Sequence, residues 1–287
     1  MNILHAAAAA MALAGFATSV SAESLTKNET THNILHFAGP GPRTLEIRTV
    51  HGDIDVEAYD GDVVEMTVTK SISARNTNDM EMALQEVRLD TADNAGTVGA
   101  IARYRDGMTC GEHLNHSSDH GPTYEVRYDF KVRVPRNTQV TVCTINRGDV
   151  SVKGTRGDFM VRSVNGRIDL ADMGGSGEAT TVNGGITGSF TAAPRADSVF
   201  RTINGDLVLK MPATFSADMN MKTFNGGLFT DFDTVPRAMQ TVATTQRHDG
   251  KFVYEANPYA SVRAGNGGPL LTLETLNGDV RILRGAR

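Results

Sequence analysis

Apolar and polar residues alternate along most of this chain in short runs, and glycine breaks the runs at near-constant intervals. Val150-Ser151-Val152, Ile168-Asp169-Leu170 and Leu207-Val208-Leu209 each set two apolar side chains two positions apart. Period-two spacing sends successive side chains to opposite faces. These triplets therefore predict short strands with Val150, Val152, Ile168, Leu170, Leu207 and Leu209 turned inward. Glycines 148, 157, 166, 175 and 184 fall every nine residues, which predicts strand-and-turn units of that length.

Every second unit repeats one template: Thr, apolar, Asn, Gly, Asp or Gly, apolar, any residue, apolar. Residues 202–209 (TINGDLVL) and 275–282 (TLNGDVRI) carry it in full. Residues 163–170, 181–188 and 223–230 vary it, and 49–56 (TVHGDIDV) is a degenerate early copy. Asn-Gly tolerates a positive φ at little steric cost. On that ground Asn165-Gly166, Asn183-Gly184, Asn204-Gly205, Asn225-Gly226 and Asn277-Gly278 are expected to be tight turns with a structural role. The full unit is 18 residues and lengthens to 21 toward Gly205 and Gly226.

Two architectures satisfy this pattern. An antiparallel meander would use each Asn-Gly as a hairpin turn; a β-solenoid would stack equivalent strands in parallel. Units that stretch while keeping the template favour the solenoid, although spacing alone leaves both open. The repeat also accounts for two Arg-Gly-Asp tripeptides, at 147–149 and 156–158. Asn146-Arg147-Gly148-Asp149 is the template with Arg inserted, and Gly-Asp recurs at Asp53, Asp206 and Asp279 without a preceding Arg. A turn explains Gly-Asp without an adhesion receptor.

From about residue 33 onward the chain resembles the bacterial putative-adhesin β-strand-repeat family, domain of unknown function 4097. The Asn-Gly-Asp/Gly repeats carry the resemblance, together with YDFKVRVP at 128–135, VTVCTIN at 140–146 and GGPLLTLETLNGDVRI at 267–282. It implies a right-handed β-helix-like stack on the bacterial envelope and no established enzyme activity.

Residues 1–22 read as a signal peptide: an Ala-rich apolar stretch ending in Val20-Ser21-Ala22 before Glu23. No cysteine near that cut could accept a lipid, and no later run approaches about 18 apolar residues, so the mature chain is not expected to span a membrane. Residues 23–143 form a less regular β part continuous, as one domain, with the repeats at 144–287. In it, 45–56, 63–73, 98–104 and 124–134 read as strands. NDMEMALQEV at 78–87 reads as a short helix, with Met82 and Leu84 or Val87 available to face inward.

Composition sharpens the picture. The chain has 287 residues, 29 glycines, no Trp and 6% aromatics, a balance for strands and turns rather than helices. The formal charge of -5 lies wholly outside the signal segment and disfavours nucleic acid, which needs a basic face. Expected partners are an envelope protein or a surface glycan, in the periplasm or at the cell surface.

One loop is chemically unusual. MTCGEHLNHSSDHGP at 108–122 sets His113, His116 and His120 after Cys110. Cys110 and Cys143 are the only cysteines, and in an exported chain they suggest a disulfide. A zinc or copper site at Cys110, His113, His116 and His120 is the competing reading, although C-x2-H-x2-H-x3-H matches no standard ligand spacing. A plain solvated loop is the third.

Signatures of catalysis are sparse. No G-x-S-x-G, H-E-x-x-H or phosphate-loop motif occurs. The position after each template Gly reads Asp149, Arg167, Gly185, Asp206, Gly227 and Asp279, so stacking in chain order places no acidic pair on neighbouring coils. The sequence thus favours a non-catalytic, adhesin-like or scaffold module without a cofactor. A carbohydrate-active β-helix enzyme or an envelope metal binder is the alternative.

Overall fold

A computed structural model describes residues 24–39, 41–93, 96–111, 123–238, 245–248, 251–254 and 259–285. The signal segment and His113, His116 and His120 lie outside these residues.

The first elements are β1 (Leu25–Leu35), β2 (Thr44–Arg48), β3 (Ile54–Tyr59), β4 (Val64–Ala74), α1 (Thr77–Glu86), β5 (Arg88–Asp93), β6 (Thr97–Arg103), β7 (Tyr124–Pro135) and β8 (Gln139–Cys143). The repeats supply β9 (Val150–Lys153), β10 (Phe159–Arg162), β11 (Ile168–Met173), β12 (Gly177–Thr180), β13 (Ile186–Phe190), β14 (Ser198–Arg201), β15 (Leu207–Met211), β16 (Ala217–Lys222) and β17 (Leu228–Thr230). Then come β18 (Thr234–Pro236), a hairpin of β19 (Thr245–His248) and β20 (Lys251–Tyr254), β21 (Ala260–Ala264), β22 (Leu270–Glu274) and β23 (Val280–Arg284).

Two mixed sheets, of ten and eleven strands, hold nearly all of these. The alternation seen in the sequence sorts their faces: Val150, Val152, Ile168, Leu170, Leu207 and Leu209 are all buried between the sheets. Each fully buried aliphatic side chain contributes roughly 1.5–3 kcal/mol. Phe200 fills the middle, with ring centroids of Phe159 and Phe190 at 6.2 and 5.9 Å.

The repeat strands pair in parallel. Ile168 stands beside Ile186, Ile186 beside Leu207, and Leu207 beside Val280. In the other sheet Val142, Val161, Ala179, Phe200 and Leu273 form the matching row. Each Asn-Gly corner therefore carries the chain from one sheet to the other, and the hairpin meander does not occur in the repeats. One strand from each sheet plus its corner makes a rung.

The rungs do not follow chain order. β22 lies between β14 and β16, and β23 between β15 and β17. The last rung in sequence is thus inserted before the one that precedes it. The expectation of simple sequential stacking fails here because the template fixes which strands fit together, not which are adjacent along the chain.

Antiparallel strands cap both edges of the eleven-stranded sheet and one edge of the ten-stranded sheet, whose other edge is β17, parallel to β23. β4 pairs with β7 and β1 with β4 at one end; β21 pairs with β16 and β18 with β21 at the other. Such caps cover edges that would otherwise recruit further strands. The segment expected as one strand at 45–56 is two, β2 and β3, separated by the first corner. Helix α1 packs on β4 and β7. It turns Ala83 inward and Val87 follows it into the core, whereas Leu84 is exposed and Met82 only borders the core.

The anticipated positive φ holds at Gly52, Gly184, Gly205 and Gly278, at 132–158°, but the corner glycines share a second cause. Gly148, Gly166 and Gly226 do not adopt positive φ. What excludes a side chain is the rung beneath: a Cβ on Gly166 would lie 1.8 Å from the Gly148 carbonyl oxygen, and one on Gly226 would lie 2.0 Å from that of Gly278. Backbone meets backbone there, with no flexible atom to yield. Gly166→Ala is therefore expected to lower stability by about 2–4 kcal/mol. Gly41→Ala, with nothing within 4 Å of its Cβ, should stay within about 0.5 kcal/mol of the parent. Denaturant unfolding of both variants checks the contrast.

Candidate functional site

Three side chains of the template are consumed by the stack itself. The Asn amides form a ladder: Asn165 donates to Asn146 at 2.9 Å, Asn183 to Asn165 at 2.7 Å and Asn204 to Asn183 at 2.8 Å. Asn277 then donates to Asn204, and Asn225 to Asn277, both at 2.7 Å. The buried Thr hydroxyls donate across rungs to glycine carbonyls: Thr181 to Gly166, Thr202 to Gly184 and Thr275 to Gly205, at 2.8–2.9 Å. The Asp after Gly accepts a backbone N–H from the next rung, as Asp149 does from Arg167 and Asp206 from Asp279, each at 2.8 Å.

These contacts explain both Arg-Gly-Asp tripeptides. A Cβ on Gly148 would strike the Gly52 carbonyl oxygen at 1.9 Å, and one on Gly157 that of Thr138 at 2.3 Å. Asp149 and Asp158 receive the N–H groups of Arg167 and Ser176. The inserted Arg147 takes φ 49° and pairs with Glu125 at 3.1 Å.

The template's second position points outward beside the ladder. Ile145, Val164 and Val182 are half-buried, while Ile203, Leu276 and Phe224 are 41%, 46% and 76% exposed. The result is an apolar column that opens toward the far end of the stack.

Acidic neighbours do exist, against expectation. Chain order separated Asp206 from Asp279, but insertion of the last rung puts them together, and Asp53 lies beside Asp149. All four carboxylates accept a backbone N–H from a neighbouring rung, and Asp53, Asp149 and Asp279 also pair with Arg127, Arg167 and Arg281. Burial raises Asp149, but the Arg167 N–H and guanidinium outweigh it and hold the carboxyl below the usual range. The hydrogen bond from Arg281 does the same for Asp279. Neither is poised to donate a proton at neutral pH. Asp55, on the outer face of β3, is shifted upward by burial and then by Asp53. It lines a groove of about 440 Å³ with Glu57, Glu65, Lys131, Arg133 and Lys153, where Glu65 and Glu57 are already paired with Arg133 and Lys153 at 2.9 and 3.5 Å.

The opposite corner carries a second cleft, of about 500 Å³. Arg43, Arg136 and Arg156 line it, with Tyr59, Asn137, Asp60 and Asp62. Arg136 grips Asp60 through two nitrogens at 2.5 and 3.1 Å. Among the described residues Arg43 makes only a cation–π contact with Phe37, 5.6 Å from the ring centroid. Arg156 makes no ion pair or side-chain hydrogen bond there. Two guanidiniums thus keep their donor forks free toward one opening, with Asp62 as the remaining counter-charge. Sequence reasoning missed this cleft because its residues come from four separate turns.

Cys110 and Cys143 form a disulfide, with Cα atoms 5.7 Å apart. The bond ties the loop after β6 to β8 and removes Cys110 as a thiolate ligand. Among the described residues no cluster of three His, Cys, Asp or Glu could hold a metal, and no helix is long and apolar enough to cross a membrane.

No family model and no curated protein matches the chain. A solved "putative cell adhesion protein" from Clostridium sporogenes is similar at a TM-score of 0.45 and 8% identity, covering 90% of this chain and 100% of its own. A "putative lipid binding protein" from Parabacteroides distasonis gives a TM-score of 0.25 and 13% identity, over 90% and 97% of the two chains. Likeness this low assigns neither family nor function.

The disulfide closes a loop with a sequence separation of 33, so chain entropy gives it about 3–4 kcal/mol. Cys110→Ala/Cys143→Ala is expected to lower the unfolding free energy by up to that amount in urea. An unchanged midpoint would contradict the assigned link.

Proposed function

We propose that this protein is a non-catalytic, exported module of the bacterial cell envelope, built as a β-solenoid, that binds the acidic groups of a surface glycan. The observation that carries the reading is the arginine cleft: three guanidiniums on one opening, two of them, Arg43 and Arg156, in no ion pair with a carboxylate among the described residues. A guanidinium fork matches the two oxygens of a carboxylate or the oxygens of a phosphate, and such pairs are among the stronger hydrogen bonds. A stiff stack that holds the cleft on successive turns suits adhesion or scaffolding, because little order is lost on binding. The disulfide supports export, since such bonds persist in oxidising compartments.

One observation favours a second reading. Asp55 is the carboxyl with a raised proton affinity in a groove, as a glycan-cleaving acid would need. Its groove neighbours Glu57 and Glu65 are ion-paired, which leaves it without a free partner of the kind such chemistry requires.

A single experiment separates the two. The mature protein is incubated with oligouronates, phosphorylated oligosaccharides and neutral oligosaccharides, and both binding and new reducing ends are measured. Binding of the acidic sugars alone is expected, weakened about tenfold or more by Arg43→Ala and again by Arg156→Ala, the scale of one lost charge-assisted contact each. Equal binding of neutral sugars, or indifference to both substitutions, overturns the glycan reading. New reducing ends that vanish in Asp55→Asn would make the protein an enzyme.

A further inference from the structure

The stack treats the arginines of its two corners differently. At the asparagine corner four of them are held by carboxylates: Arg127 by Asp53, Arg147 by Glu125, Arg167 by Asp149 and Arg281 by Asp279, at 2.6–3.1 Å. At the opposite corner Arg136 is held by Asp60, whereas Arg43 and Arg156 are in no ion pair among the described residues. That corner also carries an arginine outside the cleft. Arg195 is exposed, and among the described residues its guanidinium makes no ion pair or hydrogen bond.

The register fixes where Arg195 stands. β10 pairs with β12 and β12 with β14, with Phe159 beside Gly177 and Glu178 beside Val199. Followed back into the turns, the same register aligns Arg156, Gly174 and Arg195 on successive rungs. Gly174 puts no side chain between the two arginines. The Arg156 stem lies against it, since a Cβ there would come within 3.2 Å of the arginine Cγ. The turn that carries Arg195 is pinned. Pro194 is buried, and the N–H groups of Arg195 and Ala196 both donate to the Ser176 hydroxyl, at 2.8 and 3.0 Å. Most acids of these turns are engaged: Asp158 and Asp197 accept the N–H groups of Ser176 and Leu270 at 3.1 and 2.8 Å, and Asp60 grips Arg136. Asp62 and Asp172 are in no ion pair among the described residues.

Four arginines thus occupy the turns before four of five consecutive strands of the eleven-stranded sheet: β2, β8, β10 and β14, with Gly174 before β12. At about 4.8 Å per strand the row is about 19 Å long. A cleft alone suits one acidic group. A row along the stack axis suits an acid that recurs along a polymer. We infer, building on the cleft reading above, that this corner is a track for a linear polyanionic glycan lying parallel to the stack axis, with Arg195 as its far contact. The polymer is recognised by the recurrence of its acid, not by a chain end. Because the turns are fixed in the stack, each further guanidinium that meets an acid adds affinity with little further loss of freedom.

Chain length tests it. Oligouronates and phosphodiester-linked oligosaccharides of one, two, four and six repeats are titrated against the mature protein by calorimetry. In the series that binds, affinity is expected to rise about tenfold or more from two repeats to six. Arg195→Ala should weaken the six-repeat chain about tenfold and the two-repeat chain by no more than about twofold. Unchanged binding of the short chain also reports that this variant is folded. Arg43→Ala and Arg156→Ala should weaken both lengths. Lys210→Ala, which removes an exposed cation of β15 away from the row, should weaken neither. Affinity independent of length, equal weakening of both lengths by Arg195→Ala, or an equal loss in Lys210→Ala overturns the track and leaves the cleft reading in place. Binding of neither series, or binding indifferent to Arg43→Ala and Arg156→Ala, removes the cleft and the track together.

Discussion

Close backbone approach at the corners, for the most part glycine over glycine, is the constraint on which the rest is built. Gly52, Gly148, Gly166, Gly184, Gly205, Gly278 and Gly226 stack so tightly that each would drive a Cβ into the carbonyl below it. That approach lets the flanking Asn amides reach one another at 2.7–2.9 Å. It also lets Thr hydroxyls reach the glycine carbonyls and Asp carboxylates reach the next rung's N–H groups. Most polar groups at the corners find a partner one rung away, the buried Ser163 hydroxyl being an exception. The sheets then inherit a register that buries Ile168, Leu170, Leu207 and Leu209 together.

Much of this was legible in the chain because it is local and repeated. The alternation at 150–152, 168–170 and 207–209 identified the inward residues, and the recurring Thr-x-Asn-Gly identified the corners. Only part of the reason for the glycines was legible. Asn-Gly suggests a positive φ, which Gly184, Gly205 and Gly278 take, whereas Gly166 is needed for a contact with a residue 18 positions earlier, which no local pattern encodes. Helix spacing allows Met82 with either Leu84 or Val87 to face inward; Val87 does, joined by Ala83 rather than Leu84, and only packing against β4 and β7 decides that.

The rung order and the arginine cleft are long-range facts. One numerical hint of the insertion exists: Gly226 and Gly278 stand 52 residues apart, where the template glycines from 148 to 226 are 18 or 21 apart. A gap of that size marks an excursion but does not reveal to which rung the chain returns. Arg43, Arg136 and Arg156 sit at turns outside the template and meet only because β2, β8 and β10 are neighbours in one sheet. The three histidines of the cysteine loop lie outside the described residues, and the disulfide has already taken the cysteine that would have completed their set.

If rung-on-rung stacking governs the fold, the molecule should tolerate loss of a whole rung better than loss of part of one. Deleting 166–183 joins Asn165 to Gly184, restores the template across the junction, and brings β9 beside β13 and β10 beside β14. Small-angle X-ray scattering of this deletion variant is the most direct measurement. A folded particle shorter by one strand spacing, about 4.8 Å, is the predicted result. An expanded, unfolded profile, or a particle of unchanged length, would contradict it.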